Sequence, residues 1–295
     1  MKISEILTRK KTLSFEIFPP KREDETFTLI SETIKQMDSW SPDFISVTYG
    51  ALGNTLSNTT KIARYIKENS KAEPLAHITC VASTTAKVDE VCSELKEYGV
   101  ENLLTLRGDM PKNIVEGPIL SDFKHASDLA RYIGWKWNGV FSMAGACYPE
   151  KHPEAPNLST DIDYMKIKQD SGMEFFNSQL FFDNEVFYHF LLKARKAGIT
   201  VPIIPGIMPV TNYAQLDRMI QITGCNVPIK LWNYFDRYKD DKAALEEIGL
   251  IFTSYQILDL ISNDVDGIHI YSMNKSEFIN RLMENISYIA TEFFK

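Results

Sequence analysis

The feature that most limits how this chain can fold is an alternation of short apolar runs with amphipathic helical segments. The runs are rich in β-branched and aromatic residues and span residues 13–18, 44–49, 75–81, 102–106, 140–147, 175–182, 201–205 and 267–271. Parallel strands need long crossover connections, and crossover helices cover the faces of the sheet. The repeated strand–helix order therefore predicts a parallel α/β sheet.

The connection after the third run shows the helical period best. Val88, Val91, Cys92 and Leu95 stand at positions i, i+3, i+4 and i+7, and Gly99 follows as a stop signal. This spacing places the four apolar side chains on one face of a helix. We therefore expect the helix to cover the sheet with that face.

Eight strand–helix units favour closure of the sheet into a (β/α)8 TIM barrel. The competing fold is an open, doubly wound sheet, but its G-x-G-x-x-G fingerprint is missing, as is a P-loop. Barrels of about 250 residues form single domains, and no linker-like stretch divides this chain. We predict one α/β domain over residues 1–295, with a C-terminal helix over 276–294 that closes the outer ring.

Charge and hydropathy exclude two classes of partner. The formal net charge is -7, and no local Lys/Arg cluster compensates, so we expect no nucleic acid to bind. No stretch approaches the roughly 20 apolar residues of a membrane span, and the N-terminus lacks the apolar region of a signal peptide. We expect no membrane partner and a cytoplasmic location.

Cysteine and histidine usage gives no sign of a metal site. The 4 cysteines form no C-x-x-C pair, and the 5 histidines form no H-E-x-x-H motif. We predict reduced, buried thiols and no metal.

Polar side chains follow or end almost every predicted strand. They are Glu16, Thr48, Tyr49, His77, Thr79, Arg107, Asp109, Tyr148, Gln179 and Asn274. Each could simply satisfy loop backbone groups. In a barrel of parallel strands, however, all of these positions meet at the carboxyl-terminal rim, where barrel enzymes have their active sites.

Glu16 is the most informative of these residues because it interrupts an apolar strand. An ionised carboxylate is costly to bury, so burial would raise its pKa and suit it to general-acid catalysis. The alternative is an ion pair with Lys21 or Arg22 at the rim.

Arg107, Gly108 and Asp109 combine a fixed cation, a flexible residue and a carboxylate directly after the fourth strand. Glycine lets a planar ligand approach the backbone, and the two charges can hydrogen-bond a polar heterocycle with phosphates nearby.

Nine longer motifs contain these residues or lie between them. They are SFEIFPP, FISVTYGA, HITC, LRGD, YPEKHPEA, D-x-x-x-x-K-x-K-x-D-x-G, QLFFD, IPGIMPV and HIYSMN. In their residues and their order, these motifs resemble the methylenetetrahydrofolate reductase family, in its bacterial type that consists of the catalytic barrel only. They extend from Leu13 to Asn274, nearly the whole chain.

The resemblance implies a flavoprotein oxidoreductase that binds FAD without a covalent bond. NADH or NADPH would reduce the flavin, which would then reduce 5,10-methylenetetrahydrofolate to 5-methyltetrahydrofolate in one-carbon and methionine metabolism. Both substrates would use the same flavin face in turn, so that the kinetics would be ping-pong.

The resemblance also implies roles for individual residues. Glu16 and Asp109 would be catalytic, Glu16 as the acid that opens the folate ring and Asp109 as an anion beside the flavin and pterin. Substrate-binding residues would be Asp109, Gln179, Gln215 and Lys275. Cofactor-binding residues would be Thr48, Tyr49, Ala51, His77, Arg107, Gly108, Asp109, Ala126, Tyr148, His152, Ala155, Asp161 and Lys168.

The chain departs from the family pattern at several of its positions. Tyr164 and Ile167 stand where many relatives have asparagine and arginine, which predicts weaker binding of the FAD phosphates or adenosine. His125 stands where a tyrosine is common, and Met219 where some relatives have a phenylalanine near the nicotinamide. Lys275 replaces an arginine and so provides a point charge in place of a bidentate fork.

Two other functions remain open on the sequence alone. One is a folate- or flavin-binding barrel subunit that takes electrons from a partner protein, which the departures at Tyr164, Ile167 and Met219 favour. The other is a flavin-free lyase or aldolase on the same fold. The chain could form a homo-oligomer or associate with an electron-donor subunit.

Overall fold

The computed structural model describes residues 1–19, 27–49, 56–108 and 121–295. These residues form nine strands. The strands are β1 Thr12–Ile17, β2 Phe44–Val47, β3 Glu73–Thr79, β4 Asn102–Leu106, β5 Ser142–Cys147, β6 Met173–Ser178, β7 Ile203–Ile204, β8 Gly206–Ile207 and β9 Gly267–Tyr271.

Helices connect the strands and surround them. In the part of the chain described, they are α1 Ile3–Leu7, α2 Phe27–Asp38, α3 Leu56–Asn69, α4 Thr85–Glu97, α5 Ala126–Lys136, α6 Leu158–Asp170, α7 Asn184–Lys196, α8 Tyr213–Thr223, α9 Ile229–Arg237, α10 Lys242–Ser262 and α11 Ser276–Phe293.

All strand pairs are parallel, and the order β7-β6-β5-β4-β3-β2-β1-β9-β8 closes the sheet. The short strands β7 and β8 are two halves of one interrupted strand. The first half pairs with β6 and the second with β9, so they join the two ends of the sheet. The predicted (β/α)8 TIM barrel is confirmed.

The seventh strand differs from its predicted span of 201–205. It is divided at Pro205, because proline has no backbone N–H for the ladder. The Pro205 carbonyl still accepts a hydrogen bond from the backbone N–H of His269, at 3.0 Å. The next residue, Gly206, lies so close to β6 that an added Cβ would come 2.2 Å from the Ser178 carbonyl oxygen. Tertiary closure therefore shapes this strand.

An apolar cluster fills the amino-terminal end of the barrel. Its buried members are Ile3, Phe44, Leu75, Leu104, Ala144, Phe175 and Ile204. Helix α1 supplies Ile3, whose backbone N–H donates to the Asn102 side-chain oxygen at 2.8 Å. This cluster forms an apolar floor at that end of the barrel.

The outer helices bury the faces that the sequence period predicts. In α4 the buried residues are Val88, Val91, Cys92 and Leu95, and each large aliphatic side chain among them stabilises the fold by about 1.5–3 kcal/mol. Helix α11 begins at Ser276, as predicted, and ends at Phe293. It packs against α10 on one side and α2 on the other.

Within the described ranges, no helix is both long enough and apolar enough to cross a bilayer.

Candidate active site

Glu16 lies on the inner side of β1, above the apolar floor. The Ser46 hydroxyl donates a hydrogen bond to its Oε2 atom at 3.2 Å. Two imidazole nitrogens face the same oxygen, His77 Nε2 at 3.5 Å and His269 Nε2 at 3.7 Å. Strands β1, β2, β3 and β9 thus converge on a single carboxyl oxygen.

The backbone around Glu16 is fixed by the loop that follows β9. The Ser272 hydroxyl donates to the Glu16 carbonyl oxygen at 2.5 Å. The Asn274 side chain binds both backbone groups of Phe18, as an acceptor at 3.0 Å and as a donor at 2.8 Å. Asn274 has a φ of 56°, a conformation that asparagine tolerates better than most residues. The Glu16 carboxyl group is therefore held in a rigid setting.

Glu16 is 7% exposed, so its carboxyl group is buried inside the barrel. The alternative ion pair with Lys21 or Arg22 concerns residues outside the described ranges. Where the structure describes its neighbours, Glu16 contacts a hydroxyl and two imidazoles.

His77 is a neutral side chain at physiological pH. Burial lowers its pKa to about 4, although the nearby Glu16 carboxylate opposes this shift and His269 adds to it. A neutral imidazole has one nitrogen that accepts hydrogen bonds. His77 can therefore pair with a polar ligand or with a protonated carboxyl group.

Several buried polar atoms inside the barrel lack a hydrogen-bond partner among the described residues. They are His77 Nε2, His269 Nε2 and both side-chain atoms of Asn177 on β6. Buried polar atoms rarely stay unsatisfied in folded proteins. Because Asn177 is 4% exposed, its amide is a ready partner for a polar ligand that enters the barrel.

Arg107 and Gly108 lie at the rim directly after β4. The Arg107 guanidinium donates two hydrogen bonds to the Glu154 carboxylate, at 2.5 and 2.6 Å. Gly108 has a φ of 83°, and an added Cβ would lie 3.0 Å from Thr79. A side chain at position 108 would be strained for both reasons. Asp109 lies outside the described residues, so its predicted role stays a prediction.

The loop after β5 brings Tyr148, His152, Asp161 and Lys168 together. The His152 backbone N–H donates to the Asp161 carboxylate at 2.7 Å, and the Tyr148 and His152 rings meet edge to face at 4.8 Å. The Lys168 ammonium donates to the Ala146 carbonyl at 2.8 Å. Desolvation lowers the pKa of Lys168, and Asp161 partly offsets that effect.

Small residues and the end of β2 complete this side of the rim. Ala155 and Ala126 are buried, and Ala126 begins α5. The Thr48 backbone N–H donates to the Ile17 carbonyl at 3.1 Å, and burial raises the pKa of Tyr49 to about 12. Ala51 lies outside the described ranges. The predicted cofactor residues that are described thus border the mouth from β2 to α6.

The predicted substrate residues that the structure describes lie on another part of the rim, after β6, in α8 and after β9. The Oε1 atom of Gln179 accepts a hydrogen bond from the Leu180 backbone N–H at 2.8 Å. The NH2 group of Gln179 is therefore the part of the amide that can donate to a ligand. The Lys275 ammonium donates to the Thr211 hydroxyl at 2.7 Å. Gln215 accepts from the Thr211 backbone N–H at 3.2 Å. Thr211 therefore links the two residues predicted for the distal part of the folate.

Three polar residues of the site, Ser46, Asn177 and His269, were not predicted from the sequence. Each is a polar residue in an apolar strand, and the alternation of β2, β6 and β9 directs it inward. That alternation was the available signal. Each of the three residues precedes the last residue of its strand and so lies deeper than the strand ends.

Tyr164 and Ile167 occupy the solvent side of α6, where they are 50% and 46% exposed. Lys168, which follows Ile167, is half-buried. The prediction that these two departures weaken FAD binding stays a prediction.

No group of three or more His, Cys, Asp or Glu residues in the described ranges is arranged to hold a metal ion. All four cysteines are buried thiols.

Solved structures share this fold at low sequence identity. A protein from Clostridium thermocellum that binds two copies of 5-methyl-5,6,7,8-tetrahydrofolic acid aligns with a TM-score of 0.65 at 13% identity, over 99% of this chain and 100% of its own. A 2,3-dimethylmalate lyase aligns with a TM-score of 0.53 at 10% identity, over 99% of this chain and 89% of its own. These likenesses concern the fold.

Comparison with proteins of similar sequence indicates the family. The 5,10-methylenetetrahydrofolate reductase of Pectobacterium carotovorum is 34% identical over 90% of this chain and 86% of its own length. That of Escherichia coli is 32% identical over 90% of this chain and 87% of its own. The NADH-type methylenetetrahydrofolate reductase 1 of Arabidopsis thaliana is 32% identical over 98% of this chain. The chain spans about half the length of that plant enzyme and of several other relatives, at 50% of each.

The family model described as methylenetetrahydrofolate reductase matches residues 2–287. The match covers the floor, the Glu16 centre and both parts of the rim. The chain belongs to the methylenetetrahydrofolate reductase family.

Proposed function

We propose that this protein reduces 5,10-methylenetetrahydrofolate to 5-methyltetrahydrofolate, with electrons from NADH or NADPH that pass through bound FAD. One observation supports this most directly. In a chain of this family, a buried carboxyl group at Glu16 shares the barrel interior with polar atoms of His77 and Asn177 that have no hydrogen-bond partner among the described residues. That combination suits proton transfer to a polar ring held above the barrel.

The rim fits a flavin. The isoalloxazine ring is planar, with hydrogen-bonding atoms along its edge. The Asn177 amide and the Nε2 atom of His77, which lack a partner in the part of the chain that the structure describes, could pair with such an edge. Gly108, at positive φ, brings bare backbone to the rim. Arg107 and Lys168 are cations that would contact the diphosphate, and His152 and Tyr148 would line the ribityl side.

When bound, the flavin would supply hydride acceptance from the nicotinamide and hydride donation to the folate. Glu16 would give the proton of its Oε2 atom to the folate when the five-membered ring opens. The Gln179 NH2 group would donate a hydrogen bond to the pterin or to the nicotinamide amide. Gln215 and Lys275 would bind the benzoyl-glutamate part, because the ammonium attracts its carboxylates.

The first test is the visible absorption spectrum of the purified protein, recorded anaerobically after incubation with FAD and removal of the unbound FAD. We expect a flavin spectrum that bleaches with NADH or NADPH and returns when 5,10-methylenetetrahydrofolate is added. A protein that stays colourless with FAD would contradict the proposal.

Glu16→Gln separates the two half-reactions. We expect the variant to keep bound flavin and its reduction by the nicotinamide, and to lose folate reduction by about 100-fold or more, as general-acid catalysis contributes. Glu174→Gln is a matched control, because Glu174 lies at the amino-terminal end of β6, where it accepts a hydrogen bond from Ser142. Full folate reduction by Glu16→Gln would remove Glu16 from its role.

The alternative is a folate- or flavin-binding subunit that takes electrons from a partner protein. Tyr164 and Ile167 support this alternative, because they lie half-exposed on α6, the helix of Lys168, and could contact a partner protein there. Flavin that stays oxidised with both nicotinamides, yet becomes reduced by a protein donor and re-oxidised by the folate, would select this alternative.

A further inference from the structure

Asn177 belongs to the layer of side chains directly above the apolar floor. On β6, Phe175 is part of the floor, and Asn177 and Gln179 follow on the same face at intervals of two residues. Such an interval is about 7 Å along a strand, so Asn177 lies below the level of Gln179. It is 4% exposed. A ligand that contacts Asn177 must therefore reach almost to the floor.

The same layer has a polar group on two sides and apolar surface between them. His77 on β3 also stands two residues after a floor residue. Leu106 on β4 and Ala146 on β5 do the same, and their strands lie between β3 and β6. Both are partly exposed, and Ala146 is the β5 partner of Asn177 in the sheet register. We call these four residues the shelf, and their arrangement suits a flat ring.

Asn177 brings both kinds of hydrogen-bonding atom to the shelf. Its Nδ2 and Oδ1 atoms are buried, and neither has a hydrogen-bond partner among the described residues. The amide nitrogen donates and the oxygen accepts, so a ligand that satisfies both presents an acceptor and a donor side by side. A lactam edge, in which a ring N–H adjoins a ring C=O, has this pattern.

The flavin ring has such an edge at one place. Oxidised isoalloxazine carries a single N–H, at the N3 atom, with a carbonyl group on each side of it. Pterin has a lactam edge too, and the nicotinamide carboxamide also combines a donor with an acceptor. In the proposed reaction, however, these two substrates enter and leave in turn, whereas the flavin stays bound. The deepest layer therefore suits the flavin, with the substrates above it at the level of Gln179.

We propose that Asn177 binds the pyrimidine edge of the flavin, with Nδ2 donating to a ring carbonyl and Oδ1 accepting from the N3 hydrogen. The inference rests on the proposed function, since it assigns a residue to the flavin of that reaction. It gives Asn177 opposite effects on the two forms of the protein. An unpaired buried amide destabilises the flavin-free barrel, and the paired amide holds the ring on the shelf.

Asn177→Leu tests the first effect, because leucine is similar in shape to asparagine and has no polar side-chain atom. Asn102→Leu is the matched control. Asn102 is also a buried strand asparagine, but it accepts from the Ile3 backbone N–H at 2.8 Å and donates to the Met1 carbonyl at 3.1 Å. Without FAD, we expect the urea midpoint to rise in Asn177→Leu and to fall in Asn102→Leu. A fall in both variants would overturn the inference, because the Asn177 amide would then have a partner, such as a bound water, without flavin.

Titration of the apoproteins with FAD tests the second effect. We expect Asn177→Leu to bind FAD about tenfold more weakly or worse, because the lactam edge loses two hydrogen bonds. Asn102→Leu should stay within about twofold of the parent protein, because Asn102 begins β4 at the far end from the rim. A variant that is more stable and yet binds FAD less tightly separates ligand binding from a structural role. Unchanged FAD affinity in Asn177→Leu would overturn the inference.

A flavin analogue identifies the edge that Asn177 contacts. FAD methylated at N3 lacks the ring hydrogen and keeps the rest of the molecule. We expect the parent protein to bind FAD about tenfold more tightly than this analogue or better, and Asn177→Leu to lose most of that preference. The same preference in both proteins would overturn the pairing with N3.

The outcomes also distinguish this inference from the proposed function. A raised KM for the folate or for NADH in Asn177→Leu, with unchanged FAD affinity, would place the amide against a substrate ring and overturn the inference alone. A parent protein that binds no FAD would overturn both the proposed function and the flavin contact. The urea comparison would still decide whether the Asn177 amide is unpaired in the free protein.

Discussion

Arg107 and Glu154 form a two-pronged ion pair at the rim, with guanidinium–carboxylate distances of 2.5 and 2.6 Å. The pair joins the end of β4 to the loop after β5. Glu154 is largely exposed, so the contribution of this pair to stability is small. The ion pair is instead important for ligand binding, because a diphosphate bound at the rim would contact both its positive and its negative charge.

The two members of this pair should affect FAD affinity in opposite directions. We expect Arg107→Met to weaken FAD binding about tenfold or more, because a phosphate loses a cation. Glu154→Gln should bind FAD at least as tightly as the parent protein, because it removes a carboxylate that repels the phosphates and competes for Arg107. Titration of the apoprotein with FAD, followed by the quenching of flavin fluorescence, measures both. Weaker binding in Glu154→Gln would show that the carboxylate orients the guanidinium instead.

Thr211→Val should raise the KM for the folate by about three- to tenfold. The substitution removes the hydroxyl that accepts from the Lys275 ammonium, so that the ammonium loses its fixed position. Flavin reduction by NADH should not change, because it does not involve the glutamate part of the folate. Steady-state kinetics with the folate varied, beside the nicotinamide half-reaction alone, give the comparison. An unchanged KM would place the benzoyl-glutamate elsewhere.

Gly206→Ala should destabilise the barrel by about 1–3 kcal/mol or more, the usual range for overpacking. The added Cβ would come 2.2 Å from the Ser178 carbonyl oxygen and 2.8 Å from the Tyr271 ring. Gly134→Ala is the control, because Gly134 lies in α5 and its nearest contact would be an ordinary 3.5 Å from Met143. There we expect a gain of about 0.5–1 kcal/mol from reduced chain entropy. Urea unfolding measures both, and equal effects would contradict the close approach at β8.

His77 should make the fold less stable as the pH falls. Its pKa is lowered to about 4 in the folded protein from 6.5, so the unfolded chain takes up a proton that the folded protein does not. This effect is absent above pH 6.5, and it lowers the free energy of unfolding progressively as the pH falls from 6.5 towards 4. We therefore expect His77→Gln to lose less stability than the parent protein across that window. Urea unfolding at several pH values measures this difference. The same pH dependence of the free energy of unfolding in both proteins would contradict the lowered pKa.

The sequence predicts the fold closely where neighbours along the chain determine the structure. The apolar period of α4 follows from the spacing of Val88, Val91, Cys92 and Leu95, and the structure buries all four. Glu16 could be selected because a carboxyl group interrupts an apolar strand. The interruption at Pro205 was visible as a residue type, but its division of the seventh strand depends on how β6 and β9 meet there.

The contacts at the centre of the site could not be predicted from sequence alone. Glu16, His77 and His269 are far apart along the chain. The two imidazoles face the Glu16 carboxyl group because β9 pairs with β1 and β3 lies one strand beyond β2. Strand alternation says that His269 and Asn177 point to one face, but not which residues they meet.

The sequence by itself determined the order of strands and helices, the helix faces that are buried and the family to which the chain belongs. All of these depend on residue types at short, regular spacings, which local backbone geometry translates directly into faces. Only the tertiary structure decided that Ser14 binds His269, that Thr211 links Gln215 to Lys275 and that Arg107 pairs with Glu154. Such contacts depend on barrel closure and strand register, because these bring together atoms that no local period relates.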